Sequence, residues 1–220
     1  MYPFLEEHTN IASPALYYDF AHAREQILKK DPLDIARDAC VRFDAESACF
    51  SFASLNQGIT VRYPACTAVF TETGNSPDPH WQMPILHYLA IADGAPLSGE
   101  AVSIRDLKKH VAHPELFEHE TGARLFRGFD GKNIERLKET CAALGGEIRE
   151  SNADLLATFA FLPCFPIHIK LWMSDDEIPG SGKMLFDRRC LHYLDEMDIH
   201  VAGPLLVDFL IKHFAYEHSF

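Results

Sequence analysis

The chain lacks any uninterrupted apolar run of the ~20 residues a membrane helix needs. Its longest apolar stretch, LLATFAFLPCFPIHIKLWM, is broken by Pro163, Pro166, His168 and Lys170. The start, MYPFLEEHTN, offers neither the basic segment nor the apolar core of a secretory signal. Positive charge is scarce too: 20 Lys and Arg stand against 32 Asp and Glu, a net charge of −12 with His neutral. Nucleic acid and anionic membranes both need a basic face, so neither is expected as the main partner. No CxxC pair joins any of the six cysteines, Cys40, Cys49, Cys66, Cys141, Cys164 and Cys190. A locally encoded zinc ribbon or thioredoxin-type site is therefore excluded. HExxH, the EF-hand pattern and GxSxG are also missing. Gly180-Ser181-Gly182-Lys183 resembles the tail of a phosphate loop, but the upstream glycine is misplaced and Met184 follows, which excludes that motif. Scattered cysteines in apolar surroundings read as small core residues of a reduced, cytoplasmic protein.

Apolar residues make up 47% of the 220, including 16 Phe and 7 Tyr, enough for a sizeable core. Ser13-Pro14 reads as a cap and first helical position, leading a helix over Ala15–Lys29, and Asp31-Pro32 starts a second. ACFSFAS, GITVRYP and CTAVFTE read as short strands, with a turn at Asn56-Gln57-Gly58. TGNSPDP is a loop, and HWQMPILHYLAIADG a helix ended by Gly94 in a left-handed conformation. Helices are expected over His113–Phe129, Gly131–Leu144 and roughly Pro204–Glu217. Between the last two lie strands DLLATFAF, PIHIKLWM and GKMLFDRR. Helices and hairpin-linked strands come in blocks, without βαβ alternation. The expected fold is α+β, an antiparallel sheet packed with helices in one globular domain over residues 1–220.

Two segments, LHYLAIAD (Leu86–Asp93) and LHYLDEMD (Leu191–Asp198), share LHYLxxxD. Leu86 and Leu89 lie three apart and anchor one helical face. His87-Tyr88 and His192-Tyr193 converge on one pocket if both segments line it. The alternative is two partly buried helices whose His and Tyr cap backbone groups. The flanks do not match, so no duplicated domain is inferred.

Further candidates surround the second segment. FDRRCLHYLDEMDIH holds Asp187, His192, Asp195, Asp198 and His200, ligand types suited to zinc, iron or manganese but at no standard spacing. The competing reading is a solvated acidic loop with Asp198 capping the last helix. PLSGEAVSIRDL offers Glu100 and Arg105 as an acid–base pair, an anion clamp or a plain surface ion pair. Cys66 is a thiolate candidate but reads better as a buried cysteine, and His168 alternates with Ile167 and Ile169 on the polar face of its strand.

ILHYL…ADGAPLSGEAVSIRDL, LW…DDEIP and LFDRRCLHYLDEMDI, in this order, resemble the domain-of-unknown-function family number 3786. The resemblance covers about residues 80–200, with weaker likeness around ITVRYP. Both HYL segments, Glu100, Arg105, Asp187 and Asp198 match its pattern; His200 and Cys66 do not belong to it. The family occurs in anaerobic bacteria and archaea, and some members are fused to an iron–sulfur domain. The resemblance thus implies a setting of anaerobic redox or corrinoid metabolism. It carries no established activity.

Three functions follow as expectations. The first is a cofactor-binding accessory protein for a corrinoid, haem or other tetrapyrrole. There His87 or His192 would be the axial ligand, and Tyr88, Arg105 and Tyr193 would line the site. The second is a metal-dependent hydrolase with zinc or iron on Asp187 and His192 and with Glu100 as general base. The third is a non-catalytic partner of an iron–sulfur or corrinoid protein, docking through its acidic surface. The sequence leaves the oligomeric state open.

Overall fold

The structure, a computed structural model, describes residues 14–107 and 113–216, with side chains from residue 19. The opening MYPFLEEHTN, the Ser13 cap and the Lys108–His110 end of the connector lie outside the described residues. The first block is α1 (Pro14–Leu28), α2 (Pro32–Asp38) and four strands, β1 (Arg42–Asp44), β2 (Cys49–Ser54), β3 (Gln57–Arg62) and β4 (Thr67–Phe70). The strands form an antiparallel meander in sequence order. Asp31 caps α2 by accepting from the Leu33 N–H at 2.8 Å, ahead of Pro32. The β2–β3 turn is tighter than the sequence suggests. Ser54 pairs with Gln57, and Leu55 and Asn56 both take positive φ (48° and 61°), as a two-residue hairpin turn demands.

Helix α3 (Pro79–Ile91) follows, capped by Asp78. A connector then carries β5 (Ala101–Val102) and a 3-10 turn (Ile104–Leu107). Next come α4 (Pro114–Phe129), α5 (Ile134–Ala143), β6 (Glu147–Ile148), β7 (Leu155–Leu162), β8 (Phe165–Trp172) and β9 (Ser181–Asp187). A 3-10 turn (Cys190–His192) leads into α6 (Glu196–Tyr216). The second sheet is antiparallel, in the order β5-β9-β8-β7-β6. The fold is α+β with two antiparallel sheets where one was expected. The first four strands pair only with their neighbours in the chain, whereas β5 crosses α4 and α5 to pair with β9 in the second sheet.

The core is one continuous cluster that both sheets share. β8 buries Phe165, Ile167, Ile169 and Leu171 at every second position, and His168 lies on the other face as its alternation predicts. The sheets touch where Leu55 N–H donates to Ala160 O (3.0 Å) and Ser54 Oγ donates to Phe161 O (2.5 Å). Trp81 of α3 completes this junction, donating Nε1–H to Ser54 Oγ at 2.9 Å and packing on Phe209 of α6 (centroids 4.9 Å). On the opposite flank α4 approaches β9 closely: a Cβ on Gly122 would lie 2.5 Å from Gly182 O. No helix among the described residues is long and apolar enough to cross a membrane.

The last helix starts eight residues before Pro204, which sits inside it. The start is fixed by Asp195 and Asp198. Asp198 N–H donates to Asp195 Oδ1 (2.9 Å), and Asp195 N–H donates to Asp198 Oδ2 (3.3 Å). This is a reciprocal capping box with Asp195 at the cap and Asp198 in the first turn.

Candidate functional site

α3 packs against α6, and this contact brings the two LHYL segments together. Their partners are exchanged. His87 of the first segment pairs with Asp198 of the second (Nδ1–Oδ1 2.8 Å), and His192 of the second pairs with Asp93 of the first (Nδ1–Oδ2 2.7 Å). Between them Tyr88 and Tyr193 stack, with ring centroids 5.8 Å apart and planes inclined by 28°. Each tyrosine hydroxyl donates to a backbone carbonyl, Tyr88 to Ala39 O (2.6 Å) and Tyr193 to Ala95 O. The repeat therefore builds a crossed His–Asp pair around a buried tyrosine stack. Each histidine reaches the aspartate of the other segment, and each tyrosine satisfies a backbone carbonyl.

The two His–Asp pairs differ in setting. Asp198 is 3% exposed, and both of its oxygens are engaged, by His87 and by the Asp195 N–H. Burial raises the Asp198 carboxyl above its usual range, against the opposing pull of His87. Burial also disfavours a charged His87. The hydrogen bond and charge of Asp198, helped by Asp195 and Asp19, outweigh it and leave the imidazole raised. On the exposed side, the hydrogen bond from His192 holds the Asp93 carboxyl below its usual range.

The other sequence candidates go to separate partners. Asp187, 3% exposed, lies in a cradle. Its Oδ1 accepts from Ser98 N, Ser98 Oγ and Arg189 N, and its Oδ2 from Gly99 N, all at 2.8–3.1 Å. Burial alone would raise this carboxyl, but these donors together hold it below its usual range. Glu100 forms a two-pronged pair with Arg188 (2.5 and 2.6 Å), in place of the Arg105 suggested by the sequence. Arg105 pairs with Glu118 instead and lines a cavity of about 170 Å³ with Phe117 and Lys183. His200 packs edge-on against Phe117. Cys66 is buried, and burial pushes its thiol up, as the structural reading of that residue implies.

Among the described residues, the group of His, Cys and carboxylate ligand atoms close enough for one ion is His87, Asp195 and Asp198. These atoms all lie within 4.8 Å of one another. Two carboxylates at a helix N-terminus are what capping and the macrodipole favour on their own. Capping does not account for the imidazole reaching them from α3. Asp195 is the member whose role the sequence hid, since DEMD gives a D-x-x-D box only once the helix start is placed at Glu196.

A family model described as a domain of unknown function, DUF3786, matches residues 31–209. The chain belongs to this family. The DUF3786 match runs from the Asp31 cap to Phe209 of α6, wider than the stretch carried by the motifs, and encloses both crossed pairs. No curated protein and no solved structure matches the chain.

Proposed function

We propose that this protein is a metal-binding accessory protein whose ion sits between His87, Asp195 and Asp198. The convergence of these three ligand atoms from two helices carries the proposal. One imidazole and two carboxylates suit a divalent transition metal such as zinc, iron or manganese. Metal–ligand bonds of about 2.0–2.2 Å would draw the three atoms closer than their present 4.8 Å span. Asp195 is exposed, so solvent can reach the site. Asp19 adds a further negative charge toward His87. Asp187, Glu100 and His192 bond to Ser98, Arg188 and Asp93 and do not gather as one ligand group, so a hydrolytic reaction in this protein would be centred on His87.

A second form of the proposal has one supporting observation. Asp198 holds His87 at Nδ1 and leaves Nε2 unassigned, the arrangement that orients an imidazole toward a metal. A corrinoid or haem iron or cobalt would then take Nε2 as its axial ligand. The bare ion is the better fit, because it uses both carboxylates. Either form is compatible with docking on a basic iron–sulfur or corrinoid protein, given the net charge of −12.

The test is metal analysis and titration calorimetry on protein purified without oxygen. One tightly bound divalent ion per chain is expected, lost in both His87→Ala and Asp195→Ala and kept in Asp93→Ala. Titration with hydroxocobalamin or haemin, followed by absorption, distinguishes the forms: a band shift abolished by His87→Ala but not by Asp195→Ala selects the axial ligand. Absence of both responses overturns the proposal.

A further inference from the structure

Beneath the tyrosine stack lie two cysteines that the site does not use. Tyr88 Oη donates to Ala39 O (2.6 Å) and accepts from Cys164 N–H (3.0 Å). One phenol oxygen thus clamps the chain at residue 39 to the chain at residue 164. Cys40 follows directly, so the clamp that holds residue 39 against residue 164 brings the two cysteines side by side. Cys40 stands just past the end of α2, is exposed, and has φ 53°. Cys164 lies in the two-residue turn between β7 and β8, buried at 9% exposure. Neither belongs to a regular strand or helix, so small backbone adjustments are open to both. A solvent-facing thiol backed by a second, sheltered thiol is the arrangement of an attacking and a resolving cysteine.

We propose that Cys40 and Cys164 form a redox-active dithiol that closes to an intramolecular disulfide when a small-molecule disulfide is supplied. The Cys40 thiolate attacks one sulfur of the small disulfide, giving a mixed disulfide and releasing one thiolate. The Cys164 thiolate then attacks the Cys40 sulfur, forming the Cys40–Cys164 bond and releasing the second. The two protein thiols are oxidised, the small disulfide is reduced to two thiols, and the protons from the cysteines go to those leaving groups. The neighbouring Cys164 thiol, with burial, pushes the Cys40 thiol up to about 11, so the reaction accelerates as pH rises toward that value. The other cysteines serve as internal controls. Cys66, Cys141 and Cys190 are buried, and Cys49 is half-buried with its thiol on Ser47 O. The inference does not rest on metal binding, and its readout is covalent.

The experiment incubates the reduced, full-length chain with excess oxidised glutathione at alkaline pH, then maps peptides without reduction. Two of the six thiols should disappear, the mass should fall by two hydrogens, and Cys40 and Cys164 should appear in one linked peptide that dithiothreitol releases. In Cys164→Ser the reaction should stop at a glutathione adduct on Cys40. Wild-type protein that keeps Cys40 reduced, or carries the adduct there without closing to Cys164, overturns the inference.

Discussion

The two His–Asp pairs share residue types, motif and distance, yet stand in different surroundings. His87–Asp198 spans 2.8 Å with side chains 20% and 3% exposed; His192–Asp93 spans 2.7 Å with 46% and 53%. Equal length therefore says little about how much each contributes. In the exposed pair water screens both charges, and freezing two side chains offsets most of the attraction. In the buried pair Asp198 cannot return to water if His87 is removed, and His87 can do so only in part, so deletion of one leaves the other poorly satisfied. Each pair draws one residue from each segment, so burial divides the repeat by pair and not by copy.

The largest test of this contrast is Asp198→Ala. It removes the His87 partner and the acceptor of the Asp195 N–H, and should cost about 3 kcal/mol in urea unfolding. Asp93→Ala should cost under about 1 kcal/mol. Equal losses in the two variants would mean that burial does not separate the pairs.

How much of this was legible in the sequence follows the same division. Local chemistry was: the caps at Asp31-Pro32, the hairpin strands and the alternation that buries Ile167 and Ile169 but not His168 all follow from neighbours in the chain. The start of α6, eight residues before Pro204, was missed because Pro204 reads as a first helical residue, and the sequence pointed to Asp198 as the cap where Asp195 holds that place. β1 and β6 have three and two residues, too few for alternation to register. The exchange of partners between the repeats could not be read at all, since Asp93 meets His192 only after α3 docks on α6. Asp187 was visible as a strand-end carboxylate, but its four donors come from a connector about ninety residues earlier and from the next turn.

That carboxylate offers the second test, because it ties down the connector on which the exposed pair rests. Asp187→Asn turns an amide N–H toward the Gly99 N–H, where an oxygen now accepts. A loss of about 2 kcal/mol is expected at neutral pH, as for a buried donor left unsatisfied. The folded-state pKa of Asp187 is lowered, so its contribution is complete above the unfolded value and disappears as pH falls through the folded one. The gap between wild type and Asp187→Asn should accordingly be flat above about pH 5 and shrink below about pH 4. Nuclear magnetic resonance should show the His192 ring signals broadened or shifted while those of His87 stay in place. A gap that widens toward acid, or changes in the His87 signals alone, would place the cradle's support on the other pair.

The smallest effect decides whether the exposed pair contributes anything beyond its geometry. A double-mutant cycle of Asp93→Ala with His192→Ala measures their coupling free of other losses, because both side chains are solvated and neither substitution opens a cavity. At low salt the coupling should be about 0.5 kcal/mol. At 1 M salt the screening length falls to about 3 Å, comparable to the pair's separation, and the coupling should fall below detection. A coupling that survives salt would show that the hydrogen bond, and not the charge, holds His192. The connector would then be a fixed wall of the crossed centre, and both imidazoles would have to be treated as positioned groups.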